Sequence, residues 1–92
     1  MTRLVNALSS PYVQAKRCLE IIAQALSTAG AKPAHVVRTR MFLVDAQDAG
    51  DVGKAHGEMF ADVLPTATMV VVAALLDPRW RVEIEAEAVV DG

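Results

Sequence analysis

Near its C-terminal end the sequence alternates apolar and charged side chains in the run RWRVEIEAEAVV. At the two-residue period of a strand the two kinds of residue fall on opposite faces: Val82, Ile84, Ala86, Ala88 and Val90 on one, and Arg81, Glu83, Glu85 and Glu87 on the other. Carboxylates aligned on one face repel each other, so a neighbouring strand should place cations opposite them. Arg38 and Arg40 stand two residues apart in the run VVRTRMFLV and meet this need. The pattern therefore predicts that these two strands are neighbours.

Length and composition predict one domain over residues 1–92 that assembles with other copies of itself. Hydrophobic residues make up 53% of the chain and charged residues 22%, which excludes disorder. A chain of this size cannot hide so much apolar surface in a single small core, so an oligomer is expected.

Several classes of function are disfavoured by what the sequence lacks. The net charge is -2 with no cluster of Lys and Arg, and four aromatic residues leave little for base stacking, which argues against nucleic-acid binding. The single cysteine, Cys18, cannot form an internal disulfide and has no metal-ligand spacing around it, so we expect no metal and a cytoplasmic location. No apolar run is long enough to cross a membrane or to act as a leader.

The rest of the chain predicts the element order α, β, α, β, β. Ser10 and Pro11 begin a helix that Gly30 ends, with an apolar stripe of Cys18, Ile21, Ile22, Ala25, Leu26 and Ala29. A strand follows over residues 35–44 and a second helix over about 48–63, capped by Asp48. Its core face comprises Val52, His56, Met59, Phe60 and Val63, and its glycines, Gly50, Gly53 and Gly57, suggest close packing. The run TATMVVVAALL predicts an interior strand buried on both faces, joined to the first strand by a parallel crossover.

Five runs of residues carry a resemblance to a known family: QAKRCLEIIAQALSTAGA, VVRTRMFLVD, VGKAHGEMF, LPTATMVVVAALLD and RVEIEAEAVV. Over about residues 10–90 the chain resembles the RidA (YjgF type) reactive intermediate deaminases. The resemblance implies an α+β sandwich of the bacterial chorismate mutase type, with two helices on one face of a mixed sheet. It also implies a homotrimer with small-molecule pockets between subunits, in which reactive enamines and imines are hydrolysed to keto compounds and ammonia without a cofactor.

The same resemblance assigns site residues and shows where this chain departs from the family. Glu83 matches the glutamate that positions water or moves a proton. The arginine that holds the substrate carboxylate is replaced by Ala67, between the hydroxyls of Thr66 and Thr68, and Arg81 is a candidate substitute. Gly53 matches a pocket asparagine. Only about ten residues precede the first helix, so the family's N-terminal strand hairpin is expected to be missing, which leaves the outer edge of the last strand to be covered by residues 1–9, by another subunit or by nothing.

Each candidate residue also has a structural explanation. Glu83 is either a water-positioning carboxylate or one member of a row with Glu85 and Glu87. Arg38 and Arg40 are more consistent with pairing across the sheet than with ligand binding.

Two further residues are better explained as packing residues. His56 is expected to pack at the edge of an apolar face, and Cys18 to be buried in the core. Two functions follow for the chain as a whole: an imine-hydrolysing RidA-like enzyme, or a non-catalytic metabolite-binding or trimeric assembly module.

Overall fold

In the computed structural model, which describes residues 10–91, two helices pack on one face of a three-stranded mixed sheet. The elements are α1 (Pro11–Thr28), β1 (Val36–Leu43), α2 (Ala49–Phe60), β2 (Thr66–Val71) and β3 (Val82–Ala88), with short 3₁₀ turns before β1 and α2. The strand order is β2-β1-β3. β1 runs parallel to β2 and antiparallel to β3, so the predicted α+β sandwich, its element order and the parallel crossover pairing are confirmed.

Helix α1 begins and ends where the sequence predicts. The Ser10 hydroxyl accepts a hydrogen bond from the Val13 amide, Pro11 takes the first helical position, and Gly30 turns the chain out with a φ of +83°. Its buried face is rotated from the predicted stripe, however. Ala15 and Leu19 are fully buried, whereas Ile21 is 41% exposed. The apolar side chains of α1 are spread around the helix, so more than one set of them has the three- and four-residue spacing of a buried stripe.

A bulge at Val37 sets which side chains of β1 face the helices. Val36 pairs with Ala88 and Arg38 pairs with Glu87, which leaves Val37 as an extra residue on β1. Because of this extra residue, Val36 and Thr39 both face the core although they are three positions apart. The core joins both helices to β1 and β3: Ala15, Leu19, Val36, Met41, Leu43, Val52, Ala55, Phe60 and Val82.

The prediction that the run after Pro65 is an interior strand is wrong. β2 covers only Thr66–Val71 and lies at one edge of the sheet, and most of its residues are exposed; Val71 is 55% exposed. An edge strand has a partner on one side only, and among residues 10–91 no element covers the sheet face opposite the helices. β3 forms the other edge, and within the same residues no strand pairs with its outer side. The expectation of a missing N-terminal hairpin concerns residues 1–9, which lie outside the described residues.

Two details of α2 also differ from the prediction. Asp48 stands at the N-cap position but makes no capping hydrogen bond, since its carboxylate binds Arg81 instead. The glycines of the helix do not mark close packing, because a Cβ atom added at Gly50, Gly53 or Gly57 meets no atom within 4 Å.

Candidate functional site

The face of the sheet opposite the helices carries three rows of side chains, which we call the open face. Each row crosses the sheet from β2 through β1 to β3, in the order Thr66, Arg38, Glu87; Thr68, Arg40, Glu85; and Val70, Phe42, Glu83. The alternation of β1 from Arg38 to Phe42 and that of β3 bring these residues to the same side. Two rows are ionic and the third is apolar except for Glu83.

Both arginines of β1 form ion pairs with glutamates of β3, as the sequence predicts. Arg38 donates from Nε to Glu87 Oε1 at 2.8 Å, with Nη2 2.5 Å from the same oxygen. Arg40 donates from Nε to Glu85 Oε1 at 2.6 Å. All four side chains are roughly half exposed, so water screens each pair and its contribution to stability is under about 1 kcal/mol. A shallow depression lies between the pairs, lined by Arg38, Arg40, Glu85, Ala86 and Glu87.

Glu83 differs from the other two carboxylates of β3. Its partner across the strand pair is Phe42, which has no charge to offer. Within residues 10–91 the Glu83 carboxylate forms no ion pair or hydrogen bond, whereas Glu85 and Glu87 are both held by arginines. Strand alternation alone cannot make this distinction, which depends on the register between β1 and β3.

The residues at and around the position of the family arginine divide between the two faces. Thr66 and Thr68 lie on the open face with Glu83. Ala67 lies on the helix face beside Thr39. Within one chain, therefore, the structure does not bring position 67 and Glu83 together.

The predicted substitute arginine, Arg81, is bound to a carboxylate of its own chain. Its Nε and Nη2 atoms each donate to Asp48 at 2.9 Å, and Asp48 is only 6% exposed. This bidentate contact raises the pKa of the Arg81 guanidinium. Arg79 is likewise bound to Asp77, whose pKa falls to about 2 because the Arg79 side chain and backbone donate hydrogen bonds to it. Each of these guanidinium groups therefore already holds a carboxylate of its own chain through two of its donors.

A hydrogen-bonded pair on the helix face is absent from the sequence-based prediction. The Thr39 hydroxyl, in the middle of β1 and 0% exposed, lies 2.8 Å from His56 Nε2, and the His56 ring packs against Phe60. Partial burial lowers the pKa of His56 from its usual 6.5. His56 therefore packs as predicted, and strand alternation, which sends Thr39 to the face opposite Arg38 and Arg40, gives it a partner.

Cys18 is partly buried against the core, near the backbone of Ile84 in β3. Burial raises the pKa of its thiol, and the negative charge of Glu83 raises it further, while backbone N–H groups at Cys18 and Ile84 act in the opposite direction. A raised pKa keeps the sulfur in the unreactive thiol form. Among residues 10–91, no three His, Cys, Asp or Glu side chains are grouped so as to hold a metal ion, and neither helix is long and apolar enough to cross a membrane.

Comparison with known proteins places this geometry in a family. The family model described as endoribonuclease L-PSP matches residues 3–90. The chain belongs to this family, which is also called RidA/YjgF. Its fold is the chorismate mutase-like α+β sandwich that the resemblance implies.

Three relatives illustrate the family. A crystal structure of a member of the YjgF/YER057c/UK114 family from Mycobacterium tuberculosis superposes with a TM-score of 0.81 at 42% identity, covering 83% of this chain and 64% of that one. A mouse 2-iminobutanoate/2-iminopropanoate deaminase is 40% identical over 83% of this chain and 56% of its own length. An uncharacterised protein of Streptomyces coelicolor is 37% identical over 85% of this chain and 58% of its own. This RidA/YjgF chain thus spans less than two thirds of the length of each.

Proposed function

We propose that this protein hydrolyses small reactive enamines and imines to keto compounds and ammonia, at a site built around Glu83 on the open face. The observation that carries the proposal is the state of Glu83: an exposed carboxylate that, among the described residues, has no cation opposite it. Such a carboxylate is free to hold a water molecule, in contrast to Glu85 and Glu87. The relationship to a mouse 2-iminobutanoate/2-iminopropanoate deaminase supports the choice of reaction.

The chemistry requires little beyond a positioned water. Glu83 accepts a proton from water as its oxygen attacks the C=N carbon and returns that proton to the nitrogen, which gives a carbinolamine. Glu83 then accepts the hydroxyl proton and passes it to the nitrogen as the C–N bond breaks, so that a keto compound and ammonia leave. Each proton taken up by the carboxylate is returned, so the reaction consumes only water and needs no cofactor.

We include a homotrimer in the proposal, with the open face between copies. Apolar residues on that side, such as Val70 at 40% exposure, and the exposure of most of β2 are consistent with a covering by other subunits. A site between subunits would also let position 67 of one chain approach Glu83 of another. With its single cysteine, the protein is proposed to act in the cytoplasm.

Because Ala67 stands in place of the family arginine, we expect a lower catalytic efficiency. A buried bidentate contact from arginine to a carboxylate is worth about 2 to 5 kcal/mol, so its loss without replacement slows catalysis by about thirtyfold to several thousandfold. Activity on amino-acid-derived imines is therefore expected to be modest, unless another residue binds the carboxylate.

The direct test is the rate of ammonia release from 2-iminopropanoate generated in situ by an amino acid oxidase. We expect the protein to accelerate release above spontaneous hydrolysis, and Ala67→Arg to increase the acceleration further. No acceleration at any protein concentration would contradict the proposal.

The alternative function is a non-catalytic assembly module, and the two ionic rows of the open face favour it. If Arg38, Arg40 and the glutamates serve only to join subunits, Glu83→Gln should weaken association as seen by light scattering. If Glu83 is catalytic, the mass in solution should not change.

A further inference from the structure

Arg40 offers hydrogen-bond donors that its own chain does not use. Its Nε atom donates to Glu85 at 2.6 Å, but within residues 10–91 its two Nη groups donate to no acceptor. Arg38 differs, because its Nε and one Nη both contact Glu87. A guanidinium with a free terminal edge is the group best suited to hold a carboxylate through two parallel hydrogen bonds.

The surroundings of Arg40 fit a short molecule with one charged end. On the β2 side it is paired in register with Thr68, whose exposed hydroxyl is a further donor. The depression between the ionic rows lies beside it. The next row along the strands begins with Val70 and Phe42 and ends at Glu83. Rows on one face are spaced about 6.8 Å apart, a distance that an extended side chain and a three- or four-carbon acid together span.

We propose that Arg40 and Thr68 bind the carboxylate of a 2-imino or 2-oxo acid and orient its C=N or C=O carbon toward Glu83 over the apolar surface of Phe42 and Val70. This inference rests on the proposed function for the identity of the ligand and names its chemical class. It also supplies the carboxylate contact that Ala67 cannot make. The contact comes from the face of the sheet that carries Glu83.

Glu85 then has a defined part. It holds Arg40 through Nε and leaves both Nη groups without an acceptor among residues 10–91, and its negative charge competes with an incoming carboxylate. Removing the arginine and removing its glutamate partner should therefore change ligand affinity in opposite directions. A purely structural ion pair predicts the same direction for both, since either change breaks the pair.

The test is the affinity for pyruvate, an unreactive 2-oxo acid, measured by calorimetry or NMR titration. We expect Arg40→Gln to weaken binding about tenfold or more, and Glu85→Gln to strengthen it about threefold. Arg17→Gln is the matched control, because Arg17 forms a similarly exposed ion pair with Glu20 on α1, and its affinity should equal that of the unmodified protein. Pyruvamide, which lacks the charge, should bind the unmodified protein as weakly as pyruvate binds Arg40→Gln.

A conservative variant covers the case in which Arg40→Gln does not fold. Arg40→Lys keeps the charge opposite Glu85 but has no planar pair of donors, so pyruvate should bind about fivefold more weakly while thermal stability is retained. If Arg40→Lys binds pyruvate as tightly as the unmodified protein does, the inference is overturned. So would equal losses for Arg40→Gln and Glu85→Gln, or no pyruvate binding at all.

The measurements distinguish a failure of the proposed carboxylate site from a failure of the proposed reaction. If pyruvate binds through Arg40 but imines are not hydrolysed, the proposed reaction is wrong and the carboxylate site stands. If imines are hydrolysed with an unchanged KM in Arg40→Gln, the reaction stands and the assignment of Arg40 is overturned.

Discussion

Glu83 of β3 lies directly across from Phe42 of β1. Its two neighbours on the same face, Glu85 and Glu87, lie across from Arg40 and Arg38 and are ion-paired. Three carboxylates that look alike in the sequence are thus made different by the register of one antiparallel pair. If β3 were shifted by two residues so that Glu83 lay opposite Arg40, the Glu83 carboxylate would be ion-paired. The register therefore determines which carboxylate has no arginine opposite it and can hold a water molecule.

Replacing Arg81 by glutamine should destabilise the protein. The change leaves the Asp48 carboxylate, 6% exposed, without its bidentate partner. Breaking a fully buried pair costs about 3 to 5 kcal/mol, and because the Arg81 side chain is partly exposed we expect a loss of about 2 kcal/mol in the free energy of unfolding. Urea unfolding at a fixed protein concentration measures it.

Arg17→Gln is the control for that measurement, since both members of its ion pair are exposed on α1. Its unfolding free energy should change by no more than about 0.5 kcal/mol. Equal stabilities for the two variants would mean that Arg81 is not a structural residue and would restore it as a candidate ligand group.

The alternation in β3, the start of α1 and the pairing of arginines with glutamates could all be predicted from the sequence because each depends on local pattern. The absence of an arginine opposite Glu83 could not be predicted from the sequence. It depends on the register between β1 and β3, which places Glu83 opposite Phe42 and which no residue pattern in VVRTRMFLV indicates. The exposure of β2 could not be predicted either. An apolar run such as that of β2 shows that its burial is favourable, but it does not show whether the residues that bury it belong to the same chain or to another subunit.

Stability should decrease on mild acidification because of His56. Burial lowers the pKa of its folded form below 6.5, so near that pH the unfolded chain binds the proton more readily. The stabilisation is complete above the unfolded pKa and is lost as the pH falls from there through the folded pKa. The pKa values of Glu58 and Asp77 are also lowered in the folded protein, but these two groups change the stability only in more acidic solution, below their usual pKa values of 4.5 and 3.8.

Urea unfolding at pH 8 and pH 5.5 tests this expectation, with His56→Gln as the comparison, since glutamine can keep a hydrogen bond to Thr39 but does not titrate. The unmodified protein should lose more stability between the two pH values than the variant does. Equal losses in both proteins would assign the effect to other groups.

Cys18 should react slowly with alkylating reagents. Burial, and then the charge of Glu83, raise the pKa of its thiol, and only the thiolate is nucleophilic. At pH 7.5 we expect iodoacetamide to modify the folded protein about tenfold more slowly than the urea-unfolded chain. Equal rates in the two states would show that the thiol is accessible and reactive in the fold.

Catalysis by Glu83 is tested by the rate at which Glu83→Gln hydrolyses 2-iminopropanoate, measured together with the mass of the same sample in solution. Glu20→Gln is the matched control, because it makes the same change at an exposed position of α1. We predict that Glu83→Gln lowers kcat by about a hundredfold or more with the mass unchanged, and that Glu20→Gln behaves as the unmodified protein. If Glu83→Gln hydrolyses the imine at the unmodified rate, or loses activity only because the assembly dissociates, Glu83 is not the catalytic carboxylate.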